Sequence, residues 1–214
     1  MIARRAPSIF VLAGTNGGGK SSLAGVAFRD AGTNYFNPDE VTRRILEASP
    51  DLTLDEANSR AWLMGKRLLE QAVASRLRFT FETTLGGNTI PALLERAHDA
   101  GLAVRIWFVG LAGPELHIAR VSARVARGGH DIPEARIRER YDRSRGNLIR
   151  LLPKLTELRI FDNSEEGDST HGVAPAPRLI LHVSEGQIVE VCDATKVPDW
   201  AKPVVAAALH QFWA

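Results

Sequence analysis

The sequence predicts an α/β chain: a mainly parallel five-stranded sheet flanked by helices, with a β-hairpin and a helix at its C-terminal end. Three observations predict it. Short apolar runs alternate with longer stretches of helical spacing over the first three-quarters of the chain, as in parallel strands joined by crossover helices. The first run, Ile9 to Ala13, is continuously apolar, as strands covered on both faces are. Four strand-like runs stop at polar residues, so groups distant in sequence would meet beyond one edge of the sheet, where such folds take ligands.

The elements follow in order. Ile9 to Ala13 is a central strand, and Lys20 to Arg29 is the helix behind it. Asn34 to Phe36 is a short second strand, halted by Asn37-Pro38-Asp39. Asp39 suits a helix start, with Glu40 in the first turn. After the Ser49-Pro50-Asp51 break, Thr53 and Glu56 form a capping box for a long helix. Ala57, Ala61, Met64, Leu68 and Ala72 repeat at helical spacing along it and read as its core stripe. Phe79 to Phe81 is a third strand ending at Glu82-Thr83-Thr84; a helix from Thr89 to Ala100 follows, closed by Gly101. Val104 to Val109 is a fourth strand, and Pro114 opens a helix running to about Ala126. Gly128-Gly129-His130-Asp131-Ile132-Pro133 breaks the pattern before a helix carrying Ile137, Tyr141 and Leu148. Leu158 to Phe161 is a fifth strand, stopping at Asp162-Asn163-Ser164. Leu179 to Val183 and Gln187 to Val191, joined by Ser184-Glu185-Gly186, read as a hairpin, and Pro198 to Phe212 as a terminal helix. The organisation expected is a core over residues 1–165 with a lid around 120–140, and a C-terminal loop, hairpin and helix over 166–214 packed on that core.

Composition narrows the function classes. At 214 residues and 44% hydrophobic content, one α/β domain with a real core is expected. No apolar run approaches membrane-spanning length, which argues against a membrane partner. The single cysteine, Cys192, rules out an intramolecular disulfide and a cysteine-built zinc site. The net charge of +2 is mild, and the arginine-rich stretch from Arg120 to Arg150 lacks the interleaved aromatics of a nucleic-acid surface.

The chemistry is concentrated in Gly14-Thr15-Asn16-Gly17-Gly18-Gly19-Lys20-Ser21, which meets every fixed position of a phosphate loop between a strand and a helix. Glycines let the backbone turn its N–H groups inward around a polyphosphate, and the helix behind, with Ser22 in its first turn, adds free N–H groups and the positive end of its dipole. Lys20 reaches the β- and γ-phosphates of ATP, and the Ser21 hydroxyl can ligate Mg²⁺. The fold class is therefore the P-loop nucleoside triphosphate hydrolase/kinase fold. Arg4 and Arg5 before an apolar run resemble a leader peptide, but that run leads directly into the loop, so a cytoplasmic location is expected.

The remaining motifs separate the classes of phosphate-loop protein. No guanine-reading Asn-Lys-x-Asp is present, and Val104 to Val109 ends in glycine rather than an acid. A small-molecule kinase fits better. Asp39, after the second strand, is the candidate general base for an acceptor hydroxyl, with a helix N-cap as its other reading. Glu82, Thr83 and Thr84 are candidate acceptor contacts; Glu82, like Asp39, could instead assist Mg²⁺ through water. Arg120, Arg124 and Arg127, ahead of the Gly128-Gly129 break and followed by Arg136 and Arg140, suit a cover that places cations over transferring phosphate. The alternative for each is a solvated helix residue. Asn163 is expected to border the nucleotide.

Together these motifs resemble the zeta-toxin family of phosphate-loop kinases. The matching residues are Ala13 to Ser22, Asn37-Pro38-Asp39, Phe81-Glu82-Thr83-Thr84, Arg124 to Pro133, Arg140-Tyr141-Asp142-Arg143-Ser144 and Asp162-Asn163-Ser164, spanning about residues 8 to 164 in family order. The resemblance implies ATP-dependent phosphorylation of a hydroxyl, with UDP-N-acetylglucosamine or a related sugar nucleotide as acceptor. It implies Asp39 as base, Glu82 and Thr84 or its neighbour on the acceptor, and arginines of the lid on phosphate. It also implies a toxin with an antitoxin partner. The readings that compete with it are a nucleotide hydrolase or switch protein, and a protein- or nucleic-acid-binding module that retains a nucleotide pocket.

Overall fold

The strands are set by apolar runs; the second stops where Asn37-Pro38-Asp39 follow it, whereas the third continues through Glu82 and Thr83 and the fifth to Asp162. The computed structural model describes residues 6–20, 23, 35–129, 131–165 and 176–213. In chain order the elements are β1 (Ser8–Ala13), β2 (Tyr35–Phe36), α1 (Pro38–Ala48), α2 (Leu54–Ala74), β3 (Phe79–Thr83), α3 (Thr89–Asp99), β4 (Ala103–Gly110), α4 (Pro114–Val125), α5 (Glu134–Leu151), β5 (Glu157–Asp162), β6 (Arg178–Ser184), β7 (Gln187–Val191) and α6 (Lys202–Phe212). Most of the helix expected over Lys20 to Arg29, including Ser21 and Ser22, lies outside the described residues, as does His130.

The strands form one sheet in the order β2-β3-β1-β4-β5-β6-β7. β1 to β5 are parallel, and β6 and β7 are antiparallel. The sheet therefore has seven strands rather than the five expected, because the C-terminal hairpin continues it instead of packing outside it. The reason is the edge: β5 would otherwise present a row of unpaired N–H and C=O groups, and β6 covers them from Glu157 to Asp162.

The main core lies on one face of the sheet. Ile9, Val11, Ala13, Val104, Ile106, Phe108, Leu158 and Ile160 meet Leu69 and Val73 of α2, Leu94 of α3, Leu148 of α5 and Val204 of α6 there. On the opposite face Leu12 and Val109 form a smaller cluster with Phe10, Leu23, Tyr35 and Trp107. The capping box of α2 is present, but its buried stripe differs from the expected one. Met64 and Leu68 are 50% and 37% exposed, while Leu69, Ala72 and Val73 are buried. The helix is rotated because Gly65 lets the Phe36 ring approach so closely that a Cβ would meet it at 2.6 Å. The segment expected to be a lid has an apolar centre of its own: Val121, Ile132 and Ile137, with Ile118 and Val125 against them.

Candidate functional site

The phosphate loop leaves the C-terminal end of β1 between β3 and β4. Two glycines show why the composition is needed. Gly14 has φ +140°, and a Cβ there would meet the Val109 carbonyl oxygen at 2.1 Å. Gly19 has φ +85°, and its Cβ would meet Asn163 Nδ2 at 2.2 Å. The loop is thus a cradle that side chains would fill, which fits a polyphosphate held by backbone N–H groups. Lys20 is buried, and its Nζ donates to the Gly14 carbonyl at 2.8 Å.

From Lys20 a continuous polar chain crosses to the second strand. Its Nζ lies 3.4 Å from Glu82 Oε1 at the end of β3. Glu82 Oε2 accepts from the Tyr35 hydroxyl at 2.5 Å and from Asn37 Nδ2 at 3.2 Å. Asn37 Oδ1 in turn accepts from the backbone N–H groups of Asp39 and Glu40, at 2.9 and 3.4 Å. Asn37 is therefore the N-cap of α1, with Pro38 in its first turn, and not Asp39 as the capping alternative had it. An Asn followed by Pro carries that signature, since proline at the first helical position needs no N–H partner. The consequence is chemical: the Asp39 carboxylate is not consumed in capping, and its side chain is 48% exposed beside the lid, with Arg124 Nη1 3.8 Å from Oδ2.

The lid helices grip the outer side of the loop. His117 of α4 is buried, and its Nδ1 lies 2.8 Å from the Asn16 carbonyl oxygen. Burial pushes its pKa down to about 4, aided by the charges of Lys20, Arg120 and Arg145 and opposed by the bond to Asn16. The ring is neutral at pH 7, so the proton sits on Nδ1 and donates to that carbonyl. Arg140 of α5 donates from Nη1 to Asn16 Oδ1 at 2.7 Å. Burial, and then Arg136, lower its pKa from the usual guanidinium value, while Asp39 acts in the opposite sense. Thr15 Oγ1 and Ser144 Oγ share a hydrogen bond at 3.4 Å. On the β5 side Asn163 Nδ2 donates to the Gly18 carbonyl at 3.0 Å, and Asn163 Oδ1 is buried without a hydrogen-bond partner among the described residues.

The other expected residues distribute as follows. Arg124 reaches Asp39; Arg120 donates from Nη2 to the Glu165 carbonyl at 3.5 Å, with its Cβ beside Gly17. Arg127, in the turn after α4, is exposed and donates to the Ala123 carbonyl of that helix. Glu82 is buried with its two oxygens engaged by Lys20, Tyr35 and Asn37, so an acceptor contact would require one of those donors to yield. Thr83 and Thr84 accept from the N–H groups of Leu85 and Gly86, at 3.1 and 3.4 Å, and keep their hydroxyl protons to donate. That turn holds Leu85 in a left-handed conformation, φ +57°, clamped by Asn147 of α5, whose Nδ2 donates to the carbonyls of Leu85 and Gly87. Among the described residues no three His, Cys, Asp or Glu side chains gather as a metal site. A Mg²⁺ held chiefly by phosphate oxygens and a hydroxyl needs no such cage. Sequence reasoning missed His117 and Asn147 and gave Ser144 only as part of the family resemblance, without a contact; they reach the loops because α4 and α5 fold back over them.

Comparison with known proteins bears on this geometry. The family model described as zeta toxin matches residues 1–168. A Haemophilus influenzae protein described only as uncharacterized is 34% identical over 128 residues, which cover 60% of this chain and 88% of the relative. Among solved structures, the complex of AvrRxo1-ORF1 with AvrRxo1-ORF2 and sulphate ions superposes with a TM-score of 0.67 at 16% identity. The match covers 96% of this chain and 64% of that one, so the chain spans less than two thirds of its length. The same complex solved with ATP gives a TM-score of 0.66. The PezAT chromosomal toxin-antitoxin system of Streptococcus pneumoniae gives 0.56 at 13% identity, covering 98% of this chain and 80% of that one. At these identities the structural likeness is one of fold alone, an α/β sheet flanked by helices.

Proposed function

This chain belongs to the zeta toxin family, and from that premise we propose that it is an ATP-dependent kinase that phosphorylates the hydroxyl of a small molecule. The observation that carries the proposal is the polar chain from Lys20 through Glu82 and Asn37 to the first turn of α1. It fixes a half-exposed carboxylate, Asp39, on the same side of the sheet as the phosphate cradle. A carboxylate at that place suits deprotonation of an acceptor hydroxyl, a task that a switch protein does not require.

In this reading the loop from Gly14 to Lys20 holds the β- and γ-phosphates of ATP, Lys20 balances their charge, and Ser21 and Ser22 complete the nucleotide side, Ser21 as the Mg²⁺ ligand. Mg²⁺ supplies charge neutralisation on the phosphate oxygens. Asp39 takes the proton from the acceptor hydroxyl as its oxygen attacks the γ-phosphorus, and the bond to the bridging oxygen of ADP breaks. Arg124 and Arg140, which share the field of Asp39, and Arg120 cover the transferring group, and Arg127 joins them if the lid closes further. Thr84 and Thr83 offer hydroxyl protons to the acceptor. Their turn, held by Asn147, lies next to Arg140, since Gly86 packs on its Cα and side chain. Glu82 holds Lys20 and Asn37 in place and borders the acceptor.

The acceptor class we propose is a sugar nucleotide such as UDP-N-acetylglucosamine. The biological reading is a cytoplasmic toxin restrained by an antitoxin protein, as the toxin–antitoxin character of the PezAT system suggests. The test is phosphate transfer from labelled ATP·Mg²⁺ to a panel of sugar nucleotides, nucleosides and small metabolites, with the product identified by mass. A phosphorylated acceptor is expected. Rapid ATP turnover that no acceptor alters, and that Asp39→Asn leaves unchanged, would overturn the proposal in favour of a hydrolase.

A further inference from the structure

The family model ends at residue 168, yet the segment beyond it packs on residues that support the phosphate loop. Trp200, just before α6, is 3% exposed. Its ring lies so close to Gly110, the last residue of β4, that a Cβ there would meet ring carbons at 2.4 to 2.7 Å. The opposite demand is polar. A buried indole N–H needs an acceptor, and Trp200 Nε1 donates to Asp162 Oδ1 at 3.0 Å. Asp162 is itself buried at the end of β5 and also accepts from the Ser164 hydroxyl, at 2.5 Å, and from Arg178 Nη2 of β6, at 3.5 Å. Trp200 is held from the other side by Arg145, whose Nη1 donates to its carbonyl at 3.4 Å.

The residue that follows Asp162 is the one that touches the loop. Asn163 donates from its backbone N–H to the Gly110 carbonyl and from Nδ2 to the Gly18 carbonyl, each at 3.0 Å. Its Nδ2 fills the space that a side chain at Gly19 would take. Gly110 and the Asp162–Asn163 pair are thus both fixed by one indole: the ring packs on the first, and its N–H holds the second. A shift of the Asp162 carboxylate would move the Asn163 amide against Gly18 and Gly19, where the loop must keep its N–H groups turned inward.

We infer that Trp200 and Asp162 form a positioning clamp, through which the C-terminal segment sets the shape of the phosphate loop and with it the affinity for ATP. Trp200 touches no substrate; it acts through Asp162 and Asn163. The inference rests on the nucleotide-binding reading of the loop and deepens it.

The experiment uses the full chain and the Trp200→Phe variant, which keeps an aromatic ring against Gly110 and Phe108 and removes only the N–H. The affinity for ATP·Mg²⁺ is measured by calorimetry, and KM for ATP and kcat by phosphate transfer. Expected is a five- to tenfold rise in Kd and KM for ATP, with kcat at saturating ATP within twofold of the original and the circular dichroism unchanged. That change corresponds to about 1 to 1.4 kcal/mol, the net size of one ordinary hydrogen bond. A second readout needs no change at Trp200. With 5-fluorotryptophan at the four tryptophans, the Trp200 resonance, identified by replacing the other three in turn, should shift when ATP·Mg²⁺ is added. That shift should be lost in Asn163→Ala at nucleotide concentrations that still saturate it. Unchanged ATP affinity in a folded Trp200→Phe chain, or a Trp200 resonance blind to ATP, would overturn the clamp while leaving the kinase reading intact. Failure of the unaltered chain to bind ATP would instead overturn the reading of the loop and the clamp with it.

Discussion

His117 gives the most quantitative handle on the lid's grip on the loop. Its imidazole is buried between α4 and the phosphate loop, and its pKa of about 4 lies below the ordinary 6.5 because burial disfavours the cation. The folded chain therefore resists protonation where the unfolded chain accepts it. Between pH 6.5 and about 4 the unfolded state binds more protons, so stability rises with pH across that window. The contribution is fully present above the unfolded value and is lost as pH falls toward the folded one. From those two pKa values, lowering the pH from 7 to 5 should remove about 2 kcal/mol through this residue alone. The assay is urea unfolding of the original chain and of His117→Gln at pH 7 and pH 5, with stability taken from linear extrapolation. The original chain should lose about 2 kcal/mol more than the variant over that interval. Equal losses in the two proteins would refute the argument, because they would mean that the imidazole is not held neutral against Asn16.

Further outcomes follow from the same geometry. Gly19→Ala should leave the fold intact but weaken ATP·Mg²⁺ binding by at least about tenfold, since the methyl would require both a strained φ and displacement of Asn163; titration calorimetry reads it. Asn147→Ala strips two carbonyls of their donor and should cost about 1 to 3 kcal/mol in urea unfolding. It should also raise KM for the acceptor more than KM for ATP, because the proposal places the turn it clamps on the acceptor side. Arg140→Ala should lower kcat for phosphate transfer by about 10²-fold or more, the scale of losing one preorganised charge donor, while Arg127→Ala should have a smaller effect, since Arg127 is turned back onto the end of α4.

Much of this was legible in the sequence because the strands and the loop are local signals. The continuous run before Gly14, the capping box at Thr53 and Glu56, and the polar residues at the ends of β2, β3 and β5 each follow from short-range chemistry, and the observed elements fall near those signals, with β3 and β5 running one or two residues into them. The misreadings arose where tertiary packing overrides a local pattern. Met64 and Leu68 fit the helical period of α2 but face outward, because contact between Gly65 and Phe36 sets the rotation of the helix. The hairpin was recognisable, but its continuation of the sheet depends on an unpaired edge of β5 that no local pattern reveals. Asn37 carried a cap signature that competed with that of Asp39, and only the direction of the hydrogen bonds separates them. The grip of His117, Arg140 and Ser144 on Thr15 and Asn16 joins residues more than a hundred positions apart. It has no signature in spacing at all.

The central claim is a division of labour between Lys20 with its loop and Asp39 at the head of α1. Its most direct test is Asp39→Asn, measured in one preparation for ATP·Mg²⁺ affinity and for the rate of phosphate transfer to the acceptor that the screen identifies. The account expects affinity within about threefold of the original chain and transfer reduced by about 10²-fold or more, the scale of losing a general base. Transfer that persists at the original rate would contradict it.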